Sequence, residues 1–268
     1  WPRGNCWPVH QLKSAQAFLV PAVVPVRLLP ATLQRMQCLC RVQSAGRAMV
    51  RSAPAPLKGT HHRHRADGTV DIKKRKTYDQ ELQEITHFFE SAQAYAQQPK
   101  RNATSKKDLR QEAMRGLFDG SLRLYVHADD IRQITEAVHF KRAIGISELT
   151  IVGGYDAPLV ADLLRDNGVS VMVRRVHELP RYAEDDVSLP FRIPKQLEDE
   201  GVLYCLQNAG DMEHMGTRNL PFYAGTTHAY GLTYEQAVRS VTLNAARILG
   251  IDDQCGSIET GKDATLFI

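Results

Sequence analysis

Apolar side chains recur along this chain in two patterns, and each pattern predicts a different kind of element. From Tyr78 to Ala96 they return every three or four residues, which is typical of one face of an amphipathic helix. Further on, short continuous apolar runs predict strands that are buried on both faces, as in a parallel sheet covered by helices. These runs span residues 122–126, 149–152, 169–173 and 202–206. Because helical stretches separate them, the order predicts an α/β fold.

Polar residues mark where the predicted helices begin. Asp129 and Asp156 each follow a predicted strand, and a short carboxylate side chain in that position is typical of a helix cap. Thr233 and Gln236 have the three-residue spacing of a capping box at the start of a late helix. A complete eight-stranded barrel takes about 250 residues, so residues 77–250 have room for roughly half of one.

The first 76 residues differ from the rest of the chain in charge and composition. No acidic residue precedes Asp67, so residues 1–66 carry ten of the 34 basic side chains and none of the 30 acidic ones. The same stretch holds seven of the 13 prolines and has no sustained hydrophobic period. We interpret residues 1–76 as a disordered or artefactual basic extension. A targeting peptide with an apolar core at residues 15–29 remains an alternative.

Composition and cysteine usage exclude several classes of protein. In 268 residues no apolar run approaches the roughly 18–20 needed to cross a bilayer, so no membrane partner is expected. The five scattered cysteines do not form the even, regular set of a disulfide framework, which favours a reducing compartment such as the cytoplasm. The basic segment lacks interleaved aromatic residues, so nucleic acid is not an expected partner. The compartment itself stays open.

A histidine cluster near the start of the chain has the spacing of a metal-binding pair. His62 and His64 form a His-x-His pair, and His61 adjoins it. Zinc ligands must be held by ordered structure, and the preceding stretch is proline-rich without a strand pattern. We therefore interpret this tract as solvated rather than metal-binding.

Three passages occur in order along the second part of the chain and together carry a family resemblance. The first, LYVHADDIRQITEAV, delivers His127 to a strand end, and the second is TIVGGYDAPLVADLLRDNGVSVMV. The third and most specific is T-x-N-A-A-x-x-L-G-I followed by G-S-I-E-x-G-K-D-A. In this order and spacing they resemble the amidohydrolase superfamily, of the imidazolonepropionase-like kind. The resemblance covers residues 120–268.

The resemblance implies both a fold and a chemistry. It implies that residues 77–250 are the second half of a TIM-type (β/α)₈ barrel. Residues 251–268 would then begin the return to a small β-sandwich domain. It also implies hydrolysis of C–N bonds other than peptide bonds, in cyclic amides or amidines of small-molecule substrates. In such enzymes zinc or a similar divalent metal activates the attacking water.

At the positions where the family holds its metal, this sequence matches only in part. His127 matches the histidine of the fifth strand, whereas Gly153 stands where the sixth strand has a histidine. Asn208 stands where the eighth strand has the aspartate that ligates the metal and moves the proton. An amide cannot accept that proton at neutral pH, so Asp211, three residues further on, is the candidate catalytic substitute.

Further polar residues follow the predicted strands, where barrel enzymes place their substrates. His177, His214 and Arg218 are the candidate substrate-binding residues. Two hypotheses remain open. The chain is either a truncated, impaired hydrolase that holds little or no metal, or a non-catalytic relative (a pseudoenzyme) that binds a small molecule or a protein partner. A half barrel would leave the strand at residues 122–126 without a neighbour, which predicts self-association through that edge.

Overall fold

The computed structural model describes the strand backbones at residues 39–43, 47–51, 60–64 and 70–74, and then residues 78–98, 108–208 and 216–263. The chain divides into two compact units. The N-terminal unit comprises Val24–Met172 with Glu200–Val202, and the C-terminal unit contains Val173–Asp199 and Leu203–Ile268.

The strands of the N-terminal unit are ordered β1-β2-β5-β6-β7, with β3 and β4 forming a separate antiparallel pair. β1 and β2 form an antiparallel hairpin, whereas β2 pairs with β5, and β5 with β6, in parallel. The bounds are β1 Leu39–Gln43, β2 Arg47–Arg51, β3 Thr60–His64, β4 Val70–Lys74, β5 Leu124–Ala128, β6 Leu149–Gly153 and β7 Ser170–Val173. All five residues of β6 are buried, as the continuous apolar run predicts for a strand covered on both faces.

Four strand backbones lie within residues 1–76, and His61, His62 and His64 lie on β3. The interpretation of residues 1–76 as a disordered or artefactual extension stays a prediction. In addition, β5 does not lack a neighbour, because Ala48, Met49 and Val50 of β2 pair with it. Strand pairing between distant segments supplies main-chain hydrogen bonds that local composition does not reveal. The edge of β5 is therefore occupied by β2, and self-association of the chain stays a prediction.

Helices cover the sheet of the N-terminal unit. They are α1 Tyr78–Gln97, α2 Leu109–Met114, α3 Gly116–Asp119, α4 Ile131–Ile144 and α5 Ala161–Asp166, with a 3₁₀ turn at Ala157–Val160. The apolar stripe predicted for α1 is confirmed, since Phe89 and Ala92 are buried. The Phe89 ring meets the edge of Phe140 from α4 at 5.0 Å between centroids. Aromatic pairs of this geometry add to the stabilisation from apolar burial.

The C-terminal unit contains one short strand and four helices among its described residues. They are α6 Leu189–Asp199, β8 Tyr204–Leu206, α7 Leu220–Ala229, α8 Tyr234–Val241 and α9 Leu243–Leu249, with a 3₁₀ turn at Thr217–Asn219. All three residues of β8 are buried. The capping box is confirmed, because Thr233 and Gln236 each bond the other's main-chain N–H at the start of α8.

Helix α4 begins differently from the sequence prediction. Asp130, not Asp129, occupies its N-cap position, and the side chain of Asp130 makes no capping bond. Instead the carboxylate of Asp156, from the loop after β6, accepts from the Ile131 N–H at 3.2 Å. Local spacing cannot reveal a cap supplied from 25 residues away.

Two further predictions concern the chain's end and membranes. Residues 264–268, the end of the segment expected to begin a small β-sandwich domain, lie outside the described residues. Among the helices that the structure describes, none combines the length and apolarity needed to span a bilayer.

Candidate functional site

Strands β5 and β6 bring two of the predicted metal positions to one end of the N-terminal unit. His127 lies one residue before the end of β5, is half-buried, and pairs in register with Val152 of β6. Gly153 ends β6 and pairs in register with Ala128. The structure therefore places these positions at neighbouring strand ends, where barrel enzymes carry their sites.

Gly153 has a conformation and surroundings that suit only glycine. Its φ is +112°, a backbone region that side chains with a Cβ rarely adopt. A Cβ built there would collide with the carboxylate of Asp129 and would lie 3.2 Å from the main-chain oxygen of Ala128. A histidine at this position would therefore have to displace Asp129 and change the backbone as well.

Hydrogen bonds tie the loops after β5 and β6 to each other. Gly154 N–H donates to the Ala128 carbonyl at 2.8 Å, and Asp156 N–H donates to the Asp129 carbonyl at 2.9 Å. With the Asp156 cap on Ile131, these bonds satisfy main-chain groups that would otherwise need water or a ligand. The protein's own polar groups therefore supply the hydrogen-bond partners of these main-chain groups at the ends of the two strands.

The described residues do not fit a divalent metal ion. Zinc requires three or four nitrogen, sulfur or carboxylate ligands around one point. Within residues 78–98, 108–208 and 216–263, no group of three or more His, Cys, Asp or Glu side chains is placed to share an ion. The side chains of His62 and His64, and residues Asp211 and His214, lie outside the described residues. The predicted roles of Asp211 and His214 therefore stay predictions.

In the C-terminal unit, Asn208 follows β8 and is held by a tyrosine. The Tyr223 hydroxyl donates to Asn208 Oδ1 at 3.0 Å. Gly216 packs directly against the same amide, since a Cβ there would collide with Asn208. The side chain at the predicted position of the family's aspartate is thus an amide whose oxygen already accepts a hydrogen bond. It is not a carboxylate that can take a proton.

His177 follows β7, and a threonine anchors its ring. Thr226 Oγ1 donates to the Phe222 carbonyl at 3.0 Å, which uses the only hydroxyl proton. With that proton directed to Phe222, we assign the 2.7 Å contact between His177 Nε2 and Thr226 Oγ1 as a bond donated by the imidazole. The neutral ring then carries its proton on Nε2 and a lone pair on Nδ1.

Aromatic rings surround His177 on two sides. The centroid of its ring lies 4.8 Å from that of Tyr223 and 6.2 Å from that of Phe191, and both pairs have edge-to-face geometry. Tyr223 therefore contacts both His177 and Asn208, and the structure brings these two predicted residues to one side chain. The sequence analysis missed Tyr223 and Thr226, whose three-residue spacing on α7 puts them on one helix face.

Two other predicted or reactive positions have simpler surroundings. Arg218 is exposed in the 3₁₀ turn before α7 and forms no ion pair with a described residue. Cys205 is buried in β8, and burial raises the pKa of its thiol to about 12. A thiol with that pKa stays protonated at neutral pH and is not a nucleophile.

The loop after β7 also carries two arginines that share one carboxylate. Arg174 Nε lies 3.2 Å from Glu178 Oε2, and Arg175 Nη2 lies 3.4 Å from Glu178 Oε1. Neither arginine was among the candidate residues predicted from the sequence.

The fold is similar to that of solved hydrolases. An amidohydrolase from Thermotoga maritima matches with a TM-score of 0.61 and 22% identity, over 84% of this chain and 57% of that chain. This likeness confirms an α/β fold of the partial TIM-barrel kind. The sequence model of the Amidohydrolase family matches residues 65–268, so the chain belongs to that family. It spans little more than half the length of the Thermotoga structure.

Other comparisons are weaker. A prolidase complexed with N-methylphosphonate-L-proline matches with a TM-score of 0.46 and 15% identity, over 87% of this chain and 64% of that chain. An adenosine deaminase from Xanthomonas campestris with bound Zn matches with a TM-score of 0.38 and 18% identity, over 72% of this chain and 48% of that chain. No curated protein matches the sequence. The superfamily resemblance is confirmed, and the imidazolonepropionase-like subtype stays a prediction.

Proposed function

We propose that this chain is an amidohydrolase-family protein that binds a small molecule. We also propose that it has lost most of the family's activity, which is the hydrolysis of C–N bonds by a metal-activated water. The family assignment supports a hydrolase ancestry, and the resemblance implies cyclic amides or amidines as the ancestral substrates. A divalent metal, where such enzymes bind one, supplies the activated water. The proposal concerns the two positions of this chain that depart from that chemistry.

The observation that carries the proposal is the environment of Gly153. The loss of the sixth-strand histidine as a metal ligand could be compensated if another side chain at that position still reached the metal. Here the space is taken by the Asp129 carboxylate, and the φ of +112° disfavours any residue other than glycine. We therefore infer that the predicted sixth-strand position contributes no ligand.

The amide at position 208 supports the same conclusion from the C-terminal unit. In the family's mechanism this position needs a carboxylate that ligates and then moves a proton. Asn208 Oδ1 instead accepts from the Tyr223 hydroxyl, and an amide does not take up a proton at neutral pH. Asn208 itself therefore does not move that proton.

Metal analysis and a hydrolysis assay on the full chain test the proposal. After incubation with zinc and removal of unbound metal, we expect much less than one equivalent per chain. We also expect no hydrolysis of hydantoin or dihydrouracil above the rate in buffer. The proposal is wrong if one equivalent of zinc binds, is lost on His127→Ala, and accompanies hydrolysis. His139→Ala, an exposed histidine of α4, is the matched control.

A further inference from the structure

We propose that Asn167 is a site of spontaneous deamidation, and that hydrogen bonds from α4 and α5 keep this reaction slow while the chain is folded. Of the six asparagines in the sequence, Asn167 alone is followed by glycine. All the residues involved belong to the N-terminal unit, and none of them is part of the candidate site. The inference therefore goes beyond the proposed function and does not depend on it.

The dipeptide Asn167-Gly168 carries its own nucleophile and leaving group. The main-chain nitrogen of Gly168 forms a bond to Asn167 Cγ and loses its proton, and the Cγ–Nδ2 bond breaks to release ammonia. Water then opens the resulting cyclic imide, which leaves an aspartate or an isoaspartate in place of the asparagine. Glycine at the second position favours the reaction, because it has no side chain to hinder the attack or to restrict the backbone.

The structure leaves room and solvent for this chemistry. Gly168 is exposed, its φ is +58°, and a Cβ built there would meet nothing within 4 Å. Asn167 is half-buried at the C-terminal end of α5, with a φ of −103° and a ψ of 6°. Access therefore does not limit the reaction, and the hydrogen bonds around the dipeptide are what can.

Both ends of the Asn167 side-chain amide are bonded to the protein. Its Nδ2 donates to the Leu163 carbonyl at 2.6 Å, and its Oδ1 accepts from Nε of Arg142 in α4. The bond from the guanidinium is charge-assisted, so it is the stronger of the two. Rotation of the side chain away from this position breaks both bonds.

The main chain at the dipeptide is held as well. Lys141 Nζ of α4 donates to the Asn167 carbonyl, and the Gly168 N–H donates to the Arg165 carbonyl at 3.0 Å. These bonds restrain the ψ rotation of Asn167 and occupy the hydrogen of the attacking nitrogen.

The backbone conformation of Asn167 is unsuited to ring closure. A five-membered imide requires the Cβ of Asn167 and the nitrogen of Gly168 to eclipse each other about the Cα–C bond. At a ψ of 6° the Asn167 main-chain nitrogen takes that eclipsed place instead, so a large rotation of ψ must come first. Deamidation therefore proceeds through a local opening in which the end of α5 separates from its partners.

The folded structure requires an amide at this position. A carboxylate has no donor for the Leu163 carbonyl and would place an acceptor oxygen beside it, which pairing with Arg142 offsets only in part. An isoaspartate would also lengthen the main chain just before β7, which begins at Ser170. We therefore expect deamidation to weaken the connection between α5 and β7.

Ageing of the full chain in one neutral buffer tests the proposal. The tryptic peptide 166–174 contains position 167, and chromatography with mass spectrometry separates its asparagine, aspartate and isoaspartate forms. We expect deamidation to be about a hundredfold slower in the folded chain than in the urea-unfolded chain, because the bonds around Asn167 must open first. In urea, position 167 should react faster than the other asparagines.

Two variants of α4 measure how far its side chains restrain the reaction. Arg142→Gln removes the charged donor to Oδ1 and should raise the folded-state rate by about tenfold, and Lys141→Met should raise it by about fivefold. Arg132→Gln is the control, because it removes an arginine of the same helix that pairs with Glu136 at 3.0 Å, and its rate should stay within about twofold. In urea all three variants should match the parent chain, which separates restraint by the fold from intrinsic reactivity.

The proposal is wrong if the folded and urea-unfolded chains deamidate at the same rate. It is also wrong if Arg142→Gln reacts no faster than Arg132→Gln while circular dichroism shows both to be folded. If Arg142→Gln does not fold, the comparison of Lys141→Met with Arg132→Gln decides in the same way. The product variant Asn167→Asp should have a lower Tm than the parent, and an equal or higher Tm would contradict the requirement for an amide.

Discussion

The two units differ in how the polar groups at their strand ends are hydrogen-bonded. In the N-terminal unit, the loops after β5 and β6 bond to each other through Gly154, Asp156 and Ile131. In the C-terminal unit, Thr226 contacts His177 Nε2 after β7, whereas the buried Arg175 Nε has no hydrogen-bond partner among the described residues. Main-chain groups that bond to each other need no ligand to satisfy them, whereas a buried donor without an acceptor costs free energy.

The largest expected effect on stability comes from adding a side chain to Gly153 at the end of β6. Gly153→Ala should lower the free energy of unfolding by about 3 kcal/mol, because it adds a Cβ at positive φ against Asp129 and the Ala128 carbonyl. Gly168→Ala is the control, since its φ is +58° and a Cβ there meets nothing within 4 Å. We expect that control to cost about 1 kcal/mol in urea unfolding.

A double variant separates strain from collision at Gly153. Asp129→Ala in the Gly153→Ala background should recover part of the lost stability if the carboxylate occupies the space. Equal unfolding free energies for Gly153→Ala and Gly168→Ala would show that the strand end has room for a side chain. That result would remove the observation on which the proposed loss of the metal site depends.

The second prediction concerns a charged network that supports the C-terminal unit. Glu198 of α6 accepts from Arg239 at 2.5 Å and from Gln236 Nε2 at 3.1 Å, and its side chain is only 17% exposed. Glu198→Ala should cost about 2 kcal/mol in urea unfolding, because it leaves those donors without their acceptor. Asp199→Ala, which removes an exposed partner of Lys195, should cost no more than about 0.5 kcal/mol.

A third prediction tests the tyrosine that joins the two predicted residues after β7 and β8. Tyr223→Phe removes the donor to Asn208 and should lower the unfolding free energy by about 1 kcal/mol. Tyr234→Phe is the control, because Tyr234 is 67% exposed. The His177 ring contact should survive in Tyr223→Phe, since the aromatic ring is kept. An unchanged stability would mean that the hydroxyl bond does not hold Asn208.

The smallest effect on stability tests the tautomer of His177. Thr226→Val keeps the branched shape but removes the acceptor of the Nε2–H, so the two tautomers should become mixed. Thr226→Ser keeps the acceptor and should preserve the Nε2–H form. Both variants should change the unfolding free energy by less than about 0.5 kcal/mol. The ¹⁵N shifts of the imidazole measure the tautomer, and identical shifts in all three proteins would contradict the anchored ring.

Local patterns predicted the elements well wherever the deciding interactions lie within one segment. The stripe of α1 and the capping box at Thr233 and Gln236 each depend on residues within a few positions, and both are confirmed. The run predicted at 149–152 became β6 at Leu149–Gly153. The strand predicted at 122–126 starts two residues later, at Leu124, because its pairing with β6 sets its bounds.

The sequence by itself determined the α/β class, the family and the unusual residues Gly153 and Asn208, since these follow from the order of residue types. Only the tertiary structure decided what those residues do. The collision at Gly153, the remote cap from Asp156 and the contact of His177 with Tyr223 all join segments far apart in the chain. Such contacts depend on how strands and helices pack, and no local period encodes that packing.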